Sequence, residues 1–268
     1  MTEGNDYRIF QVVNIIAIVA TLVVDALANI IPINGVLTGD VADAYPNLFT
    51  PPGWVFAIWG VIYTLLAVFV IYQGRASQRN AAYLPKIGYW YLIGAVGNIA
   101  WIFLFHYSVG APSLLVASSV PITLLLISLL VTYVRLGIGL SEVPLREKLA
   151  VHLPVSVYLG WISLATIASV ASSLNVLIPG IPIATQEVAT AVMVIVAFVL
   201  TLLMLIQRRD VAFGLVVIWA STGIALKQIA RPIIFFVAAP VAILVAILIV
   251  VLPLLKKKKI TDFYLARD

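Results

Sequence analysis

Apolar residues run through the chain in long blocks broken by short polar segments, and the blocks reach the roughly 18 residues that a helix needs to cross hydrocarbon. Eight such blocks stand out, at 9–31, 52–72, 88–107, 113–134, 149–170, 188–206, 211–230 and 233–255. At 1.5 Å of rise per residue, about 20 residues span the roughly 30 Å bilayer core. The pattern therefore predicts an all-α polytopic membrane helical bundle with eight transmembrane helices. Pro121 and Pro154 fall inside the fourth and fifth helices, where each removes a backbone hydrogen bond and predicts a kink. The longest connection, 32–51, carries Asp40, Asp43, Tyr45, Pro46, Leu48 and Phe49. Tyr45, Leu48 and Phe49 need somewhere apolar to rest, so this segment is expected to be a lid over the bundle mouth. The other connections are short and marked by Gly and Pro, as at 110–112 and 178–182, which predicts antiparallel packing of consecutive helices.

Composition strengthens the membrane reading: 63% of the 268 residues are hydrophobic and only 10% are charged, too few to solvate a surface of that size. The positions of Lys and Arg set the orientation, because cytoplasmic flanks carry the excess. With the N-terminus inside, the inner segments hold Arg8, Arg75, Arg79, Lys86, Arg135, Arg146, Lys148, Arg208, Arg209, the run 256–259 and Arg267, which is 14 of the 16 basic residues. Lys227 and Arg231 remain for the outer side. Both termini are thus expected in the cytoplasm, in a multi-pass protein of the plasma membrane. The first block is too long for a signal-peptide core and has no small-residue cleavage site after it, so it reads as a retained anchor. The net charge of +5 sits mostly on the inner flanks and suits anionic headgroups rather than nucleic acid. No cysteine is present, which removes disulfides, thiolate metal sites and cysteine nucleophiles.

Three helices carry aromatic and polar residues at helical spacing, so each set shares one face. The second presents Phe56, Trp59 and Tyr63, the third Gly94, Asn98, Trp101 and Phe105, and the fifth Pro154, Tyr158, Trp161 and Ala165. Packing between helices explains any one stripe. Three together, with Trp at membrane depth, point to a cavity for a flat apolar ligand, with Asn98 as its polar handle.

The same residues resemble a known family. YPNLFTPPGWVFAIWGVIY, from Tyr45 to Tyr63, is similar to the start of the second helix in the translocator protein / tryptophan-rich sensory protein (TspO, peripheral benzodiazepine receptor) family. GNIAWIFLF, with Asn98, Trp101 and Phe105, resembles that family's third helix, and LPVSVYLGWISLAT, with Pro154, Tyr158, Trp161, Ala165 and Thr166, its fifth. The resemblance covers 10–175. The chain departs from the pattern in a Trp54-to-Trp59 spacing one residue shorter, in separated Pro154 and Tyr158, and in Ser169 where the family has Asn. It implies a five-helix ligand-binding unit at 1–175, followed at 176–268 by three additional helices and a basic tail. It also implies a pocket under the lid for porphyrins, sterols or synthetic aromatic ligands. Carried over by position, the pocket residues are Trp54, Trp59, Asn98, Trp101, Tyr158, Trp161 and Ala165.

Ionisable residues in apolar helices are functional candidates by default. Asp25, Glu187, Lys227 and Arg231 form that set. Asp25 and Lys227 each lie 16 positions along outward-running helices, and this equal depth predicts an ion pair, with Arg231 free to reach Glu187. His106 and His152 belong to opposite membrane faces and cannot share a metal. No Glu-x-x-His, His-x-x-x-His or paired-carboxylate motif occurs, so no catalytic residue is assigned and hydrolytic or metal-dependent chemistry finds no support. The first functional reading is a membrane receptor or carrier for a hydrophobic planar ligand, tetrapyrrole-like or sterol-like, that requires no cofactor and takes porphyrin or haem as a candidate ligand. The expected partners are that ligand, the bilayer and a second copy of the chain. An ion- or proton-coupled transporter using Asp25, Glu187 and Lys227 is the alternative. A chromophore Schiff base on Lys227 ranks last, since no retinal-protein motif accompanies the lysine.

Overall fold

A computed structural model describes residues 6–265; Arg267 lies outside the described residues. The described chain is helical, with eight long helices: α1 Arg8–Ile30, α2 Ile58–Gln73, α3 Trp90–His106, α4 Pro112–Leu136, α5 Leu153–Leu177, α6 Ile183–Arg208, α7 Val211–Lys227 and α8 Pro232–Leu255. Short helices at Thr38–Ala44, Tyr83–Ile87, Leu145–Glu147 and Ile260–Tyr264 fill connections and the C-terminal tail. Six segments are long and apolar enough to cross a membrane: α1, α4, α6, α8, α2 together with the 3-10 turn Gly53–Ala57 before it, and the continuous stretch Leu145–Leu177 that ends in α5. α3 and α7 are apolar but shorter, at 17 residues each.

The first five helices close into a ring in the order α1, α3, α4, α5, α2 and back to α1. Small residues make the tightest of these contacts. A Cβ on Gly97 of α3 would lie 2.8 Å from the Pro121 carbonyl oxygen and 2.9 Å from the Leu125 nitrogen of α4, so only glycine lets these backbones approach. Pro121 stays inside an unbroken α4. At the other predicted kink the chain forms a π-helical turn, Lys148–His152, directly before Pro154. A proline cannot donate to the preceding turn, and the wider turn absorbs that lost bond.

The last three helices pack on one another and join the ring through α7, which lies against α5 and touches the 3-10 turn that opens α2. The principal partner of α5 across this seam is α7, so consecutive helices are not always neighbours, contrary to the reading from connection lengths. One end of the bundle gathers the basic connections, tied by Arg135 donating to the Pro85 carbonyl (3.0 Å) and Arg208 to that of Ile138 (3.2 Å). The opposite end is covered by the segment between α1 and α2.

Candidate functional site

At this covered end, segment 32–51 winds across the ring and returns to its centre. Its turns and its short helix bury Thr38, Val41, Asn47, Phe49 and Thr50. Tyr45 and Leu48 are partly buried against the same core, so all three side chains expected to seek apolar contact find it. The attachment is polar as well as apolar. The Tyr45 hydroxyl donates to the Ser108 carbonyl, Asn175 to that of Pro46 (3.2 Å), and Gln228 of the α7 C-cap to that of Leu48 (3.0 Å). His106 anchors the beginning of the segment. Its Nδ1 faces the Ile102 carbonyl at 2.9 Å, which can only accept, so Nδ1 carries the proton and Nε2 accepts from the Thr38 hydroxyl at 3.3 Å. Asn47 ties the centre: Oδ1 accepts from the Phe49 and Thr50 backbone at 2.9 and 2.8 Å, while Nδ2 donates to Thr50 Oγ1 at 2.7 Å and Ser172 Oγ of α5 at 2.6 Å.

Under this cover lies an apolar cavity of about 60 Å³. Trp59, Trp101, Trp161 and Ala165 line it, together with Phe49, Phe56 and Phe105. The rings contact one another: Trp59 lies 6.1 Å from Trp101 in a near-parallel stack and 6.2 Å from Trp161 edge-on. The indole Nε1 atoms of Trp101 and Trp161 are buried and have no hydrogen-bond partner.

The wall differs from the expected one: of the residues carried over by position, Trp54, Asn98 and Tyr158 do not line it. Helix α1 contributes nothing to it, whereas α7 supplies Ala220 and Ile224. Trp54 is 47% exposed and packs edge-on against Trp219 of α7, with centroids 5.0 Å apart, so it belongs to the seam between ring and added helices rather than to the cavity. The seam is close-fitting. Trp219 Nε1 donates to the Val55 carbonyl at 2.9 Å, and a Cβ on Gly223 would sit 2.4 Å from the Val55 side chain.

Asn98 and Tyr158 lie beneath the cavity floor, joined by a 2.9 Å hydrogen bond from the Asn98 amide to the Tyr158 hydroxyl. Trp59 forms that floor, its ring 5.6 Å from Tyr63 and 6.1 Å from Tyr158. Asp25 belongs to this lower layer. It is completely buried, with Tyr63 and Asn98 against its carboxylate but neither in full hydrogen-bond geometry.

The predicted Asp25–Lys227 ion pair does not form. Lys227 reaches the cover instead, 3.7 Å from Asp43 and 3.5 Å from the Pro51 carbonyl, because α7 docks outside the ring on α5 and not beside α1. Arg231 pairs with Glu187 at 2.8 Å, tying α8 to α6. The four intramembrane charges therefore occupy three separate places. Among the described residues no group of His, Asp and Glu is placed to hold a metal, and His106 and His152 sit at opposite ends.

The segments that carry this ring of Trp, its cover and its Asn floor are those whose motifs resembled one family. The model of the TSPO-like protein family matches residues 11–251. The chain belongs to that family. The match runs beyond the fifth helix and takes in α6, α7 and most of α8, so the added helices fall within the family pattern. With its apolar helices, this makes the chain an integral multi-pass membrane protein of the TspO type. No curated protein and no solved structure matches it.

Proposed function

We propose that this TSPO-like protein is a receptor or carrier that takes a hydrophobic planar ligand, of porphyrin or sterol type, into the Trp-lined cavity, with segment 32–51 as its lid. The observation that carries this reading is the pair of buried, unpartnered indole N–H groups of Trp101 and Trp161 on an otherwise apolar wall. A buried donor without a partner costs about 1–3 kcal/mol, and a flat ligand with ring nitrogens or carbonyls at its edge removes that cost while stacking on the indoles. Ala220 and Ile224 support a direct part for the added helices, as one wall of the pocket and a buttress of the lid.

In this reading all eight helices cross the bilayer, both termini are cytoplasmic and the lid faces the outside of the plasma membrane. The short α3 and α7 lean on their neighbours and are extended by turns at either end. The basic end supports the orientation, since it collects the connections rich in Lys and Arg.

Titration of the purified protein with protoporphyrin IX, followed by quenching of tryptophan fluorescence, tests the proposal. Saturable quenching beyond that of empty micelles is expected. Trp101→Ala and Trp161→Ala should each weaken binding by more than tenfold, since a buried aromatic anchor contributes about 2 kcal/mol or more. Normal binding by both variants would mean that the aromatic stripes serve helix packing alone.

A further inference from the structure

At the basic end of the bundle, opposite the lid, a second pocket of about 340 Å³ opens where the ring meets the added helices. Its walls come from the connection after α4, the π-helical turn before α5, the α6–α7 junction and the C-terminal tail. Its volume is that of a small-molecule site. Three cations line it, Lys148, Arg208 and Arg209. Of the two acids in the lining, Asp210 is buried and spent on the Phe213 N–H and the Tyr133 hydroxyl, and Glu142 is exposed to solvent, so positive charge is in excess. Arg208 gives one hydrogen bond, to the Ile138 carbonyl, and lies 5.4 Å over the Tyr133 ring, so its five-donor fork has more to give. Lys148 donates to the Leu265 carbonyl at 3.2 Å and the Arg209 guanidinium lies 5.0 Å over the Phe263 ring, which holds the tail against the pocket.

His152 belongs to the same lining. It is 6% exposed, its Nε2 has no hydrogen-bond partner, and the Lys86 and Lys148 ammonium groups lie within electrostatic reach. A buried ring nitrogen without a partner, beside surplus positive charge, suits a ligand that brings polar atoms and negative charge. The rest of the lining is apolar, and its Leu140, Leu149 and Leu265 are exposed. Basic groups and exposed leucines around one pocket match the level where lipid headgroups meet acyl chains, and basic pockets between membrane helices hold anionic headgroups.

We propose that this pocket binds the headgroup of an anionic phospholipid, its phosphate held by Arg208, Arg209 and Lys148 beside His152, and the start of its chains resting on the leucines. The bound headgroup bridges α5 on one side and the α6–α7 junction on the other, and so ties the added helices to the ring. The site is at the far end from the Trp cavity and stands whether or not that cavity takes a ligand.

Native mass spectrometry of the full chain, with dioleoylphosphatidylglycerol or dioleoylphosphatidylcholine added to the detergent, counts the lipids retained. The first phosphatidylglycerol should bind at least about tenfold more tightly than the first phosphatidylcholine, and Arg208→Gln and Arg209→Gly should each lose about tenfold of that affinity. Arg209 has a left-handed backbone (φ 50°), so glycine keeps the fold there and decides the matter if Arg208→Gln does not fold. Arg146→Gln, an exposed cation of the same end outside the lining, should change binding less than about twofold. Equal affinity for the two lipids, unchanged binding in the pocket variants, or an equal loss in Arg146→Gln overturns the proposal. If inorganic phosphate at the lipid's own concentration displaces it, the site is one for a soluble anion and the lipid assignment falls.

Discussion

Replacing Asn47 by Ala isolates the lid from the rest of the fold. Asn47 is 6% exposed and makes four hydrogen bonds of good length, two to backbone N–H groups of the lid, one to Thr50 and one across to Ser172 of α5. The substitution leaves the Phe49 and Thr50 N–H groups buried without acceptors, at about 1–3 kcal/mol each, and removes the tie to α5. Phe49 still covers the cavity, so part of the lid's apolar seating survives, and a net loss of about 3 kcal/mol is expected, on the order of 10²-fold in the opening equilibrium. Hydrogen exchange of the detergent-solubilised protein, read by mass spectrometry, reports it directly. Amides of Val41, Phe49 and Thr50 should exchange about 10²-fold faster in the variant, with α8 unchanged. Unaltered protection in the lid would refute this view of Asn47, and a uniform rise in exchange across the chain would show that the lid is no separate unit.

Other consequences are as easily measured. Gly97→Val drives a side chain into the α4 backbone at 2.8–2.9 Å, where neither helix can yield, and should lower thermal stability by 3 kcal/mol or more, roughly, or prevent folding; a variant with unchanged melting would contradict the close α3–α4 approach. Gly223→Val places its Cβ against Val55 at 2.4 Å, and should loosen the α7 seam by about 1–3 kcal/mol and speed lid exchange while sparing α3–α4. Asp210 caps α7 through the Phe213 N–H at 3.1 Å and accepts from Tyr133 at 2.9 Å, yet burial raises its carboxyl above the ordinary range. A pKa raised in the folded state gives stability that is complete below about pH 4, the unfolded value, and fades as pH rises through the folded one. Relative to wild type, Asp210→Asn should therefore gain in melting temperature as pH increases from about 4 to 7, and a difference independent of pH would contradict this.

Helix positions and the cavity's indoles were legible because period and residue size carry both signals. Trp59, Trp101, Trp161 and Ala165 repeat at helical spacing and line the same space. The charge pairing was not legible, since equal depth along two helices says nothing about whether they touch. Lys227 and Asp25 share a level, but α7 docks on α5 and the lysine finds Asp43. Trp54 failed for a related reason: one residue of difference in its spacing to Trp59 turns it outward, onto Trp219. Ala220 and Ile224 carry no chemical mark, and only the fold reveals them as cavity wall. Asn47 could have been found, because an Asn followed by a turn into Thr50-Pro51-Pro52 is a place where a side-chain amide caps its own backbone. The residues against Asp25 were already present in the stripes, since Tyr63 and Asn98 lie one turn from Trp59 and Trp101 on the same faces.

An experimental structure of the protein with protoporphyrin IX bound tests the central claim most directly. Density for the ring system is expected beneath Phe49, between Trp59, Trp101 and Trp161, with the Trp101 or Trp161 indole N–H donating to it and segment 32–51 closed above. Ligand density confined to the lipid-facing surface, with the three indoles in contact only with one another, would contradict it.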